Sequence, residues 1–200
     1  MIIPMVDLRA QYMCHKNEID NAINGVLNTT SFIDGNEVAV FAKNLSKYLN
    51  VKHTIPCGNG TDALMLALLA LNLKQGDEVI VPAFTFVAPA EAVAFLGLKP
   101  VFADVLPDTF CIDPASIIHN ITPKTKAIIP VHLFGQCADM TTIMQIAEKY
   151  GLFVIEDTAQ ALGCDYNDTH SRKACKAGTI GHIGCTSFFP SKNLGCYGDG

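Results

Sequence analysis

EVIVPAFTFVAPAEAVAFLGLKPVFADV, running from Glu78 to Val105, is the stretch that decides the fold. It opens with an apolar run from Glu78 to Pro82, continues as a helical pattern from Val87 to Leu96, and returns to an apolar run from Pro100 to Val105. That is strand, helix, strand, and the rhythm repeats on both sides. Upstream, a short strand from His53 to Cys57 leads into a helix from Thr61 to Leu73. Downstream come a strand Lys126 to Leu133, a helix Met140 to Tyr150, a strand Leu152 to Glu156 and, after a glycine-punctuated stretch, a strand Cys185 to Phe189. Runs as apolar as Ala127-Ile128-Ile129-Pro130-Val131 belong in the middle of a mostly parallel sheet, where helices cover both faces and no side chain needs to meet water. Two amphipathic patterns precede this core, Lys16 to Leu27 and Asn36 to Leu49, the second opened by Asp34-Gly35-Asn36 in the manner of a helix N-cap. The expected class is α/β.

Composition narrows the function. A chain of 200 residues can bury one full core, and half of its residues are hydrophobic against 16% charged, which excludes a disordered or solvating chain. Net charge is -5 and no basic cluster tracks along the sequence, so nucleic acid is not an expected partner. The start lacks a charged region followed by a long apolar one, so no signal peptide is read there. The longest apolar run, Ala63 to Leu71, is far short of the roughly 20 residues that span a bilayer, so no membrane anchor is expected. Eight cysteines stand singly, with no C-x-x-C pair, which suits core thiols in a reducing cytoplasm better than disulfides or a zinc site, and no metal is expected. Without repeats or linkers, residues 1–200 read as one large domain with its N-terminal helices. Asn167 to Gly181, with Arg172, Lys173 and Lys176 among small residues, reads as a mobile surface loop. The end at Gly198-Asp199-Gly200 is a turn signal, which reads as a truncation.

In an open α/β sheet, ligands sit outside the C-terminal ends of the strands, so chemistry is sought at strand-to-loop junctions. Four pass. Cys57-Gly58-Asn59-Gly60-Thr61-Asp62 enters the apolar helix, whose first N–H groups could receive a phosphate, although taken alone a plain tight turn is the simpler reading. Glu156-Asp157-Thr158-Ala159-Gln160 ends a strand in acids, which could hold Mg²⁺, cap a helix or face a pyridine nitrogen. Ser187-Phe188-Phe189-Pro190-Ser191-Lys192 places a lysine after the last strand, and a desolvated lysine can form a Schiff base with a carbonyl. Pro82-Ala83-Phe84-Thr85-Phe86-Val87 carries two aromatics, by default for core packing and otherwise for stacking on a ligand.

In this order and spacing, with Pro130-Val131-His132-Leu133-Phe134-Gly135-Gln136 and Gly198-Asp199-Gly200, these runs resemble the signature of the DegT/StrS-type nucleotide-sugar aminotransferases. These are fold-type-I enzymes that use pyridoxal 5′-phosphate. The resemblance implies roles. Lys192 would carry the cofactor as a Schiff base and then shuttle a proton; Asp157 would keep the pyridine nitrogen protonated. Thr61 and Ser187, with the backbone amides of Gly60, Thr61 and Asp62, would hold the phosphate. Phe86 would stack on the ring and Gln160 would lie beside it. The implied reaction moves an amino group from an amino-acid donor, usually glutamate, to a nucleotide-linked keto-sugar, feeding surface polysaccharide or glycan assembly. The run from Pro190 to Gly200 most resembles members acting on a UDP-linked 3-keto hexuronate. A homodimer is implied as well. Members are about twice this length, so a C-terminal small domain is expected to be absent here, and the 167–178 loop is longer than usual. Two alternatives within reach are a sugar dehydratase, which carries histidine in place of Lys192, and a non-catalytic cofactor-binding fragment. A P-loop or dinucleotide-binding protein is disfavoured by the missing glycine and lysine pattern.

Overall fold

A computed structural model of the chain describes residues 3, 5–167 and 174–200, in two compact units, Met1–Pro56 and Cys57–Gly200. The first unit holds helices α1 (Leu8–Thr29) and α2 (Asn36–Leu49). α1 is longer than its apolar pattern because Asp7 caps it, accepting the Ala10 N–H at 2.9 Å, and it runs on to a left-handed Thr30. α2 has the expected bounds, yet its cap is Gly35 without a side-chain bond. The strand expected from His53 to Cys57 does not form: no strand among the described residues pairs with it, and Ile55 is 80% exposed.

In the second unit the chain runs α3 (Gly60–Ala70), β1 (Glu78–Pro82), α4 (Ala88–Phe95), β2 (Lys99–Ala103), α5 (Pro114–Asn120), β3 (Thr125–Ile128), α6 (Met140–Tyr150) and β4 (Phe153–Asp157). A short antiparallel pair, β5 (Asp165–Asn167) and β6 (Ala174–Lys176), precedes β7 (Ile183–Cys185). The main sheet is parallel throughout, in the order β2-β1-β3-β4-β7. Alternation along the strands splits the core in two. Val79, Val81, Ala127, Ile129 and Ile155 pack with Leu64, Leu68, Ala92 and Val93 of α3 and α4, while Ile80, Ile128 and Val154 pack with Ile117, Met140 and Ile143 of α5 and α6. Helices on both faces of a parallel sheet are the expected architecture, and it places every strand's C-terminal end along one edge.

Several bounds shift for local reasons. β3 stops at Ile128 because Pro130 cannot donate to a ladder, although Ile129 still donates to Ile80 O (2.8 Å) and Val131 bridges Asp157. β7 comes earlier than its apolar run, and its Gly184 is obligatory: a Cβ there would lie 2.1 Å from Gly178 O. Of the loop expected from Asn167 to Gly181, residues 168–173 lie outside those described. The remainder is tied down, Lys176 pairing with Asp165 at 2.7 Å and residues 178–181 fastened to Glu156. All eight cysteines are free, and only Cys111 and Cys185 are buried, so the reading of them as core thiols holds for those two. No helix among the described residues is long and apolar enough to cross a membrane.

Candidate active site

Along the C-terminal edge, α3 opens toward β7. Asn59 caps α3, its Oδ1 accepting the Asp62 N–H at 2.8 Å and its carbonyl the Ala63 N–H at 3.0 Å. The amides of Gly60 and Thr61 are left with no acceptor among the described residues, and they form the positive end of the helix dipole. Asp62, the third amide expected at an anion, is already spent on the cap. Ser187, buried just beyond β7, closes this turn: a Cβ on Gly60 would stand 2.7 Å from Ser187 Cβ and 3.3 Å from its Oγ. Ser187 Oγ accepts the Phe189 N–H at 3.2 Å, which leaves its own proton free to donate. Two open amides, those of Gly60 and Thr61, and the Ser187 hydroxyl form a cradle that can receive an anion.

Beside the cradle, β4 ends at Asp157, 7% exposed. Oδ1 accepts the Ala159 N–H at 3.0 Å, and no donor among the described residues reaches Oδ2. Burial pushes the Asp157 carboxyl above the usual carboxylate range, against the opposing pull of the Ala159 N–H and of the nearby His132 and Lys192. A buried acid with one open oxygen is built for a partner that brings a proton and positive charge.

Lys192 supplies charge from the turn after β7. Its amide donates to Phe189 O (2.7 Å), Gly195 N donates back to Lys192 O (2.9 Å), and a Cβ on Gly195 would strike Pro190 O at 2.1 Å. Asn193 Nδ2 ties the turn to Leu162 O at 2.7 Å, on the segment that follows Asp157. Lys192 is half-buried, and among the described residues Nζ has no hydrogen-bond or ion-pair partner. The structure thus brings together Gly60, Thr61 and Ser187, and sets Lys192 within electrostatic reach of Asp157. Phe86, 70% exposed in the loop after β1, stands at the same edge and is not held by any of them. Gln160 spends Oε1 on the Phe134 N–H at 2.8 Å.

Residues 13–200 match the DegT/DnrJ/EryC1/StrS aminotransferase family. The chain belongs to this family. Over 199 residues it is 49% identical to the UDP-2-acetamido-2-deoxy-3-oxo-D-glucuronate aminotransferase of Pseudomonas aeruginosa, covering 100% of this chain and 54% of that protein. It is 52% identical to the UDP-N-acetyl-3-dehydro-alpha-D-glucosamine 3-aminotransferase of Acidithiobacillus ferrooxidans, over 99% of this chain and 52% of that one. Among solved structures, NtdA of Bacillus subtilis with bound cofactor PMP superposes with a TM-score of 0.87 at 41% identity, over 98% of this chain and 43% of that one. The DegT-family chain therefore spans about half the length of the curated relatives it matches. Its α/β fold with a parallel sheet between helices is the one these aminotransferases share.

Some of the DegT-family edge was not visible in the sequence. Asn59 Nδ2 bonds Asp199 Oδ2 at 3.1 Å, and the buried His132 bonds Glu156 at 2.9 Å. The first had no local signal. The second lay within two quoted motifs, but its residues pair only once β3 and β4 are in register.

Proposed function

We propose that the protein transfers an amino group from an amino acid, L-glutamate first among candidates, to a keto-sugar carried on a nucleoside diphosphate, using pyridoxal 5′-phosphate. The reading is carried by one juxtaposition: an anion cradle at Gly60, Thr61 and Ser187 beside a buried carboxylate and a half-buried lysine that has no partner among the described residues. The residues fit the group. The cradle suits a phosphate, the open Asp157 oxygen suits a ring N–H, and the Lys192 amine suits an aldehyde. When bound, the cofactor supplies an aldehyde for amines and a cationic ring that takes up an electron pair.

The chain's own residues do the rest. Gly60 N–H, Thr61 N–H and the hydroxyls of Thr61 and Ser187 hold the phosphate. Asp157 holds the proton on the ring nitrogen, and its burial keeps water from competing for that contact. Lys192 Nζ would hold the cofactor by condensing with its aldehyde, with loss of water, and, once freed by the incoming amine, would move a proton from the substrate carbon. Phe86 covers a ring face and Gln160 borders it. The relatives named above act on UDP-linked 3-oxo sugars, which supports a UDP-linked 3-keto hexuronate as first candidate here. Free thiols accord with a reducing cytoplasm, and exposed apolar residues such as Met13 and Leu27 on α1 accord with a homodimer.

Two measurements follow. The full-length protein, given cofactor, L-glutamate and a UDP-linked 3-keto hexuronate, should yield the amino sugar and 2-oxoglutarate in equal amounts by mass spectrometry. Loss of water from the sugar with no amine gained would point instead to dehydration. Gly60→Ala, whose new methyl must displace Ser187, should raise the dissociation constant for pyridoxal phosphate about tenfold, about 1.4 kcal/mol. Its melting temperature should fall only slightly, because the helix preference of alanine offsets part of the clash with Ser187. Unchanged affinity by calorimetry would remove Gly60 from the cradle.

A further inference from the structure

Glu156 and His132 are fully buried polar residues that take no part in the chemistry above, and both sit directly behind Asp157. Side chains alternate along β4, so Glu156 points to the opposite face from Asp157. Each Glu156 oxygen takes two N–H donors: Oε2 accepts from His132 Nε2 (2.9 Å) and Gly178 N (2.9 Å), and Oε1 from Ile180 N (2.7 Å) and Gly181 N (2.6 Å). His132 Nδ1 accepts the Ala138 N–H at 3.1 Å, which assigns the ring proton to Nε2 and aims it at Glu156. The His132 amide in turn donates to Asp157 O at 3.0 Å, while Asp157 N donates to Pro130 O at 2.9 Å.

These bonds close a ring: Asp157 carbonyl, His132 amide, His132 imidazole, Glu156 carboxylate, and back through the peptide to Asp157. The same carboxylate fastens the other flank. Its hold on residues 178–181 sets the turn that delivers β7, and Cys185 O there accepts the Thr158 N–H (2.8 Å) and Oγ1–H (2.9 Å). A buried ionic group is a poor way to gain stability, since well-packed apolar residues do as well or better. What four charge-assisted bonds on one carboxylate do supply is a fixed geometry.

We propose that His132 and Glu156 are positioning residues that hold the end of β4 so that the Asp157 carboxylate stays aimed at its ligand. The claim rests on the reading of Asp157 given above. Titratable groups near the Asp157 carboxyl are His132, Lys192 and Cys185, with Glu156 on the opposite face of the strand. The positioning bond can be removed or kept by choice of amide. His132→Asn can accept the Ala138 N–H but does not reach Glu156, whereas His132→Gln can reach Glu156 with an N–H. Glu156→Gln sets an amide nitrogen against N–H donors.

In the full-length protein with cofactor, His132→Asn and Glu156→Gln should lower kcat by about 10–100-fold, with KM for the amino donor within about twofold. His132→Gln should recover to within about threefold of wild type. In the Asp157→Asn background, His132→Asn should cost no more than about threefold further, because residues acting through one group are not additive. In cofactor-free protein, amide exchange at Asp157 and His132 should quicken in His132→Asn and not in His132→Gln. Equal rates for the two His132 variants, or full additivity with Asp157→Asn, would overturn the proposal. So would a His132→Asn protein that fails to fold, since the pair's role would then be structural. If Glu156→Gln fails to fold, the two His132 variants decide. Should Asp157→Asn itself turn over like wild type, the Asp157 reading fails first; should Asp157→Asn be inactive while His132→Asn is not, only positioning fails.

Discussion

Lys192→Ala should lower transamination by at least about 10²–10⁴-fold, the range that a single positioned proton-transfer group contributes, and should abolish covalent attachment of pyridoxal phosphate. Both losses come from one atom. On the proposed reading Nζ would be both the amine that joins the aldehyde and the base that later moves the proton, and among the described residues Lys192 is the lysine whose charge acts on Asp157. The fold should survive, because Nζ has no hydrogen bond or ion pair among the described residues and the turn is held by its backbone and by Asn193. Borohydride reduction followed by peptide mass mapping checks the attachment, and a single-turnover assay checks the rate. A label that persists on another lysine would unseat Lys192, as would a wild-type rate.

Asp157→Asn should retain bound cofactor yet lose more than about a hundredfold in kcat, since breaking one side of a buried ionic contact costs about 3–5 kcal/mol. Its effect on stability runs the other way. Burial raises the Asp157 pKa in the folded state, so between the unfolded and folded values the native protein binds the extra proton. Stability from this group is therefore full below the ordinary carboxylate range and falls as pH rises through the raised value. Asparagine does not ionise and escapes that penalty. Cofactor-free Asp157→Asn should thus melt above wild type at neutral pH, and the two curves should converge in acid. A variant that is slower but no more stable would mean that the carboxylate is already satisfied without its ligand. Near wild-type turnover would remove Asp157 from the chemistry.

The parts that local pattern determines were legible. β1 and α6 fall on their expected residues, because five buried positions in a row and a 3.6-residue stripe are each self-contained signals. Asp157 was placed at a strand end for the same reason, whereas Ser187 was read inside the last strand, which ends two residues before it. His53 to Cys57 misled because β-favouring residues do not make a strand without a neighbour to pair with. α5 was missed although Asp113-Pro114 announces it: Asp113 accepts the Ala115 N–H and proline sits in the first turn, but the helix is only seven residues long. β5 and β6 are three residues each, too short for a period to emerge. The Glu156 clamp depends on which residues of distant segments come into register, and Phe134, held at a positive φ of 57° with its amide on Gln160, gave no local sign either.

The Asn59–Asp199 bond joins groups 140 positions apart in the chain, on the same edge where Gly60 meets Ser187. Contacts of that separation close a long loop, whose entropy must be met before they contribute. The cradle thus exists only where both ends of the unit have met, and a ligand that recognises it binds that state alone. By mass action such a ligand draws the population toward the completed state. Cellular supply of the cofactor would then govern how many copies persist against proteolysis, and not merely how fast each one works.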